Sequence, residues 1–114
     1  MKSVFKESEA HKITENPYSC FFEYPVSTQN ISLGISEING TYPLEGFAMD
    51  EKVEALWYVE SGTGTITIEN VRYQVSKGDM IHIRPGEKFS INGDALRLVV
   101  AGSPPWTTEQ HKTL

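Results

Sequence analysis

The chain has 114 residues, of which 39% are hydrophobic and 22% are charged, with a formal net charge of −5. This length and composition are typical of one folded globular domain and lack the signature of disorder. The acidic balance disfavours the broad basic surface that binding to nucleic acid or to an anionic membrane requires. We therefore expect a single domain with no nucleic-acid or membrane partner.

The single cysteine, Cys20, has no partner for an internal disulfide and lies in the apolar run CFFEY, where a thiol most often packs as a small hydrophobe. No apolar run approaches the ~20 residues of a membrane span, and the first residues, MKSVFKESEAHK, lack the core of a signal peptide. We therefore expect a cytoplasmic protein.

The first half of the chain predicts an arm followed by strands. Residues 1–16 are polar and indicate a short helix or an irregular arm, which Asn16-Pro17 ends. Residues 20–24 favour a strand, and the alternation of apolar and small polar residues over 31–36 predicts a half-buried one. Asn39-Gly40 is typical of a turn, since both residues tolerate positive φ.

The middle of the chain predicts a hairpin. Residues 44–53 indicate a loop or an edge strand, and 55–59 a strand that ends at a turn over 61–64. The clean alternation within 65–75, interrupted at 69–70, predicts two antiparallel strands joined by a tight turn.

The last part of the chain repeats the same pattern of short strands. Further turns are predicted at 77–79, 84–87 and 92–94, with strands over 80–83, 89–91 and 96–100. Thr107 or Thr108 would cap one helical turn over 107–112. Turn signals every 8 to 12 residues without an ordinary helix indicate an all-β sandwich or barrel. The predicted division is an N-terminal arm over 1–16, a β-barrel domain over 17–106 and a C-terminal tail over 107–114.

Two motifs make the chain resemble a small single-domain cupin. They read Tyr58-Val59-x-x-Gly62-x-Gly64 and Gly78-Asp79-x-x-x-Ile83-x-Pro85-Gly86. The resemblance covers about residues 42–105, and the Pro-Pro-aromatic segment that follows also resembles the end of short cupins. It implies an all-β, double-stranded β-helix, the cupin jelly roll.

The resemblance also implies a metal site built from histidines and a glutamate. Spacing from the motif glycines places these ligands at Ala48 or Met49, Asp50 or Glu51, Ala55 and Phe89. None of these residues is a histidine, and methionine, alanine and phenylalanine cannot replace the nitrogen and oxygen donors that such metals prefer. We therefore expect no metal and no other cofactor.

A ligand site in the barrel is the main functional prediction. Side chains alternate along a strand, and the resemblance implies that one face points into the barrel. Trp57 and Phe89 would form an aromatic cavity suited to a sugar face or a ring, or would simply fill the core. Glu51 is the candidate general base or ligand contact, unless irregular backbone over 46–53 turns it to solvent. The predicted ligand-binding residues are Met49, Glu51, Val53, Ala55, Trp57, Phe89 and Ile91.

Other titratable side chains are weaker candidates. His11 and His111 lie near the termini and are assigned no function. Arg84 and Lys88 flank a turn near the predicted barrel mouth, where they would attract an anion or remain solvated.

Three hypotheses about function follow. The leading one is a metal-independent, non-catalytic homodimer that binds a small sugar-like or aromatic molecule, since dimerisation would cover an unpaired sheet edge. The second is a metal-free sugar isomerase or epimerase with Glu51 or Glu54 as base and Tyr42 or Tyr58 as acid. The third is a metal-dependent cupin with displaced ligands, including His82.

Overall fold

Nine strands form one curled sheet in the computed structural model, which describes residues 1–114. Two three-residue 3₁₀ turns, Glu7–Glu9 and Thr108–Gln110, complete the secondary structure, and no helix is long and apolar enough to cross a membrane. The all-β prediction is confirmed. The strands are β1 (His11–Asn16), β2 (Ser19–Glu23), β3 (Ser32–Tyr42), β4 (Ala48–Asp50), β5 (Glu54–Ile68), β6 (Val71–Ser76), β7 (Met80–Ile83), β8 (Lys88–Ser103) and β9 (His111–Thr113).

The two longest strands, β5 and β8, hold the sheet together. They run antiparallel over nearly their whole length, with Ala55 opposite Gly102 and Ile66 opposite Ile91. One path of the sheet has the order β1-β2-β3-β8-β4-β9, while β5 also pairs with β6 and β7. Because each long strand pairs with different neighbours along its length, the sheet curls around a common interior.

The predicted hairpin between β5 and β6 is confirmed. Glu69 and Asn70 both have positive φ, 47° and 68°, at its two-residue turn. This conformation matches the right-handed twist of the flanking strands, as in type I′ hairpins. The turns predicted at 77–79 and 84–87 also lie between observed strands.

Three other glycine-containing segments bend strands instead of reversing the chain. Residues 39–40, 61–64 and 92–94 were predicted as turns, but they lie inside β3, β5 and β8. Gly62 has φ +79°, and a Cβ there would lie 2.0 Å from the carbonyl oxygen of Ala95. The register of β5 against β8 shifts on both sides of Ser61, an irregularity of the kind that β-bulges produce when they bend a strand and increase its twist.

Both ends of the chain pair with the sheet. Residues 11–16, predicted as a helix or irregular arm, form β1, because Ile13 and Thr14 pair with Phe21 and Cys20 of β2. The predicted turn near the C-terminus is present as the second 3₁₀ turn, but Thr107 makes no side-chain capping bond. The following strand β9 lies against β4.

The core consists of inward-facing aliphatic and aromatic side chains from β3 to β8. Fourteen buried hydrophobic residues form one cluster, against which Tyr42, Ile68, Val100 and Trp106 pack. Burying an aliphatic or aromatic side chain contributes about 1.5–3 kcal/mol each. The most completely buried large side chains are Ile66, Ile83, Leu96, Leu98, Val53 and Val59.

Candidate functional site

A cavity of about 60 Å³ lies inside the barrel. Its walls include five of the seven predicted ligand-binding residues, because β5 and β8 present alternate side chains to the interior. The Trp57 and Phe89 rings meet edge to face with centroids 4.9 Å apart. An aromatic cavity therefore exists, and the five predicted residues in its wall are Val53, Ala55, Trp57, Phe89 and Ile91.

The other two predicted residues, Met49 and Glu51, do not line this cavity. In β4 the buried residues are Ala48 and Asp50, and Glu51 is exposed, with its carboxylate 4.0 Å from the ammonium of Lys112. The inward placement of Met49 and Glu51 was wrong, because the chain leaves the strand conformation at residues 51–53. The alternation of buried and exposed side chains that holds around Trp57 does not continue through that bend.

Three side chains at the cavity form a hydrogen-bonded chain. Asp50 Oδ1 lies 2.8 Å from His111 Nδ1, and His111 Nε2 lies 2.5 Å from the hydroxyl of Tyr42. With Nδ1–H donating to the carboxylate, Nε2 carries a lone pair and accepts from the tyrosine. An imidazole held in this way is arranged to accept or return a proton.

Gln110 fixes this arrangement from the second 3₁₀ turn. Its Oε1 accepts from the backbone N–H groups of Lys52 and Val53, each at 3.1 Å, and its Nε2 donates to Asp50 Oδ1 at 2.7 Å. The residue is only 4% exposed. Gln110 therefore holds the C-terminal segment, and His111 with it, against the cavity.

Glu15 of β1 lies at the open side of the cavity. The residue as a whole is exposed, but its carboxylate lies among polar groups and accepts from Ser19 Oγ at 3.1 Å. Burial raises the pKa of Glu15, against the opposing effects of Ser19, His111 and Tyr42.

The surroundings of Tyr42 keep its hydroxyl group protonated. Burial raises the pKa of its hydroxyl, and the negative charges of Glu15 and Asp50 raise it further. The phenol therefore stays neutral and keeps its proton available for a hydrogen bond. Tyr58, the other tyrosine predicted as an acid, is 47% exposed and lies outside the cavity.

A surface depression of about 440 Å³ adjoins the cavity. Glu15, Tyr42, Trp106 and His111 line both spaces, so they form the boundary between them. The Trp106 and His111 rings have centroids 5.5 Å apart. We call this depression the mouth of the cavity.

The donor set does not fit the metal site that the fold family implies. The four ligand positions are occupied by Ala48, Asp50, Ala55 and Phe89, which supply a single carboxylate. That carboxylate already accepts from Gln110 and His111. Elsewhere, no group of three or more His, Cys, Asp or Glu side chains is placed to hold a metal ion.

The displaced site considered for His82 is also a poor chelate. His82 Nε2 lies 2.6 Å from Glu54 Oε2, on a partly exposed surface where β5 and β7 pair. Two donors facing solvent do not make the three- or four-ligand arrangement of protein metal sites. Glu54, like Glu51, lies outside the cavity, so neither can act as a base on a molecule bound there.

Sequence reasoning missed three polar members of the site. His111 was assigned no function, Asp50 was named only as an alternative to Glu51 at a metal-ligand position, and Glu15 was part of the predicted N-terminal helix or arm. The structure brings them together because β9 pairs with β4 and β1 covers the open side of the barrel. Only Tyr42 was anticipated, as an alternative acid.

Comparison with known proteins identifies the family of the domain. Residues 47–102 match the family described as "Cupin domain". The chain carries a cupin-family jelly-roll domain, which confirms the resemblance. An uncharacterized protein of Methanocaldococcus jannaschii, MJ1618, is 30% identical over 64 residues, which are 54% of this chain and 51% of that protein. The chain thus aligns with about half the length of this relative.

Solved structures share the fold at low sequence identity. Pac13, described as a nucleoside dehydratase and known from Streptomyces, has a TM-score of 0.89 and 12% identity over 100% of this chain and 92% of its own. KdgF from Halomonas sp. has a TM-score of 0.77 and 14% identity, covering 96% of this chain and 98% of that one. Ectoine synthase from P. lautus has a TM-score of 0.62 and 18% identity, covering 82% of this chain and 75% of that one. These likenesses show the fold alone.

Proposed function

We propose that this protein is a metal-independent acid–base enzyme that acts on a small organic molecule at the cavity mouth. The observation that carries the proposal is the chain from Asp50 through His111 to Tyr42. A histidine oriented by a carboxylate and facing a neutral phenol supplies both a proton acceptor and a proton donor in one place.

The reaction class that fits this pair is elimination or isomerisation beside a carbonyl or hydroxyl group. On ligand binding, the Tyr42 hydroxyl would turn its proton from His111 Nε2 to the substrate oxygen that gains negative charge or leaves as water. The freed Nε2 would then take a proton from carbon, and after an elimination this proton would pass from His111 back to Tyr42. In an elimination the carbon loses a proton and the neighbouring carbon loses hydroxide, so the balance is one molecule of water and no redox partner is needed. Pac13, the similar fold described as a nucleoside dehydratase and also determined with uridine, supports this class by analogy.

The cavity walls favour a ligand with a ring or another compact apolar part. Eleven of the 17 lining residues are hydrophobic, and Trp57, Phe89 and Trp106 supply aromatic faces. A volume of about 60 Å³ holds only part of a molecule the size of a nucleoside or sugar. The remainder of such a ligand would lie in the mouth.

Proton exchange tests the proposal. Uncharged nucleosides, cyclic sugars and their carbonyl derivatives are incubated with the protein in D₂O, and NMR follows loss of carbon-bound protons or formation of an alkene. We expect exchange or elimination with at least one compound, reduced about 10²- to 10⁴-fold by His111→Gln and by Tyr42→Phe. Tyr58→Phe, a matched change at an exposed tyrosine, should keep full activity. No reaction across the panel, or equal activity in all variants, would contradict the proposal.

A second candidate is binding without catalysis, at the same site. The predominantly apolar wall and the small inner volume favour it, since both suit the capture of a compact molecule. A ligand that raises the melting temperature but shows no proton exchange would select this candidate.

A further inference from the structure

The cavity and its mouth contain acidic side chains but no lysine or arginine. Asp50 and Glu15 line the cavity, and Glu15 and Glu45 line the mouth. Arg84 and Lys88, which the sequence placed near the barrel mouth, line neither space. A ligand that enters this site therefore meets carboxylates and aromatic rings, with His111 as the one group that can become cationic.

Neither the cavity nor the mouth has a permanently charged cation that could balance an anion. The His111 Nδ1–H and the Gln110 amide already donate to Asp50, so neither is free to bind a phosphate or carboxylate. Transfer of an unpaired anion from water to a partly buried apolar site is costly, and nearby carboxylates add like-charge repulsion. The faces of Trp106 and Tyr42 carry negative quadrupole charge and would attract a cation rather than an anion.

We propose that the site takes uncharged or amine-bearing ligands and rejects phosphorylated or carboxylated ones. This inference rests on the proposed function only in assuming that the ligand occupies the cavity and its mouth. It narrows the substrate class from small organic molecules in general to free alcohols, carbonyl compounds, nucleosides or amines. Sugar phosphates, nucleotides and uronic acids are excluded.

Three probes with the same ring and different charge test the selection: benzyl alcohol, benzylamine and benzoate. The chain has two tryptophans, so two indole N–H signals report separately on the cavity wall, Trp57, and on the mouth, Trp106. We expect titrations to shift the Trp106 signal with benzyl alcohol and benzylamine, and benzoate to bind at least ~10-fold more weakly than the alcohol.

Matched variants separate the local charge from the net charge. The double variant Glu15→Gln/Glu45→Gln should reduce the difference in affinity between benzyl alcohol and benzoate. The double variant Glu69→Gln/Glu109→Gln removes the same charge elsewhere and should leave that difference unchanged. Benzoate binding as tightly as the alcohol, an equal effect of both double variants, or no shift of Trp106 with any probe would overturn the inference. If charge selection is found while the exchange experiment fails, the enzyme proposal falls and the ligand class stands.

Discussion

Replacement of Gln110 by leucine should destabilise the protein far more than an ordinary change near a C-terminus. The substitution keeps a side chain of similar size but replaces the polar amide with an apolar group, so it removes every hydrogen bond that the amide makes. The buried N–H of Val53 loses its acceptor, and the carboxylate of Asp50 loses one of two donors. Lys52 is exposed, so water can replace its lost acceptor.

The magnitude follows from these two buried losses. An unsatisfied buried donor costs about 1–3 kcal/mol, and a hydrogen bond to a charged group contributes about 1.5–3 kcal/mol. Their sum lowers the free energy of unfolding by about 2.5–6 kcal/mol. For a domain of this size, such a change lowers Tm by at least about 10 °C.

Urea denaturation and thermal melting measure the effect. Gln74→Leu is the matched control, because Gln74 is exposed in β6 and should change stability by less than ~0.5 kcal/mol. Gln110→Glu keeps an acceptor for the backbone but faces Asp50 with a second carboxylate, so it should be less stable at pH 7 than at pH 4. A Gln110→Leu protein within 1 kcal/mol of the wild type would refute the reasoning.

Three other outcomes are expected. Burial raises the folded-state pKa of Glu15 above its ordinary value of 4.5, so the stability that its protonated form contributes is lost as pH rises above that value. Glu15→Gln should therefore stabilise the protein at pH 7 but not at pH 3.5. The control Glu109→Gln should not change stability at either pH. Protein purified without a histidine tag should contain no stoichiometric iron, manganese, nickel or zinc, and such metal by elemental analysis would contradict the donor-set argument. Sedimentation should show a homodimer at micromolar concentration, because Leu56, Tyr58 and Met80 are exposed on the outer face of the sheet, while a monomer would be evidence against it.

The strands could be predicted where local alternation and turn chemistry are sufficient. The hairpin at Glu69 and Asn70 depends on residues that tolerate positive φ, and the sequence shows this directly. Gly62 shows the limit of such reasoning. The same residue type permits a chain reversal or a bulge, and the long-range pairing of β5 with β8 across this point decides between them.

The apolar wall of the site was predicted better than its polar groups. Trp57 and Phe89 lie on long regular strands, so strand periodicity places them in the interior. Asp50 and His111 meet because a three-residue strand pairs with the C-terminal strand, 61 residues away. No local pattern encodes that pairing, and the bend after Asp50 reverses the face expected for Glu51.

The expectations of a cytoplasmic location and of no nucleic-acid or membrane partner stay predictions. The same holds for the boundaries of the domain at residues 17 and 106. The roles of the five cavity-lining residues in ligand binding also stay predictions until a ligand is found.

The central claim is that hydrogen bonds to Asp50 and Tyr42 hold the His111 ring in a single tautomer. Long-range ¹H–¹⁵N correlation spectra of the histidine rings at neutral pH test it directly, with His11 as the exposed comparison in β1. We predict a single His111 tautomer with the proton on Nδ1 and an unprotonated Nε2. The chemical shift of Nε2 should change in Tyr42→Phe, because that variant removes its hydrogen-bond donor. A proton on Nε2, or the averaged signals of a freely exchanging ring like that of His11, would contradict the account.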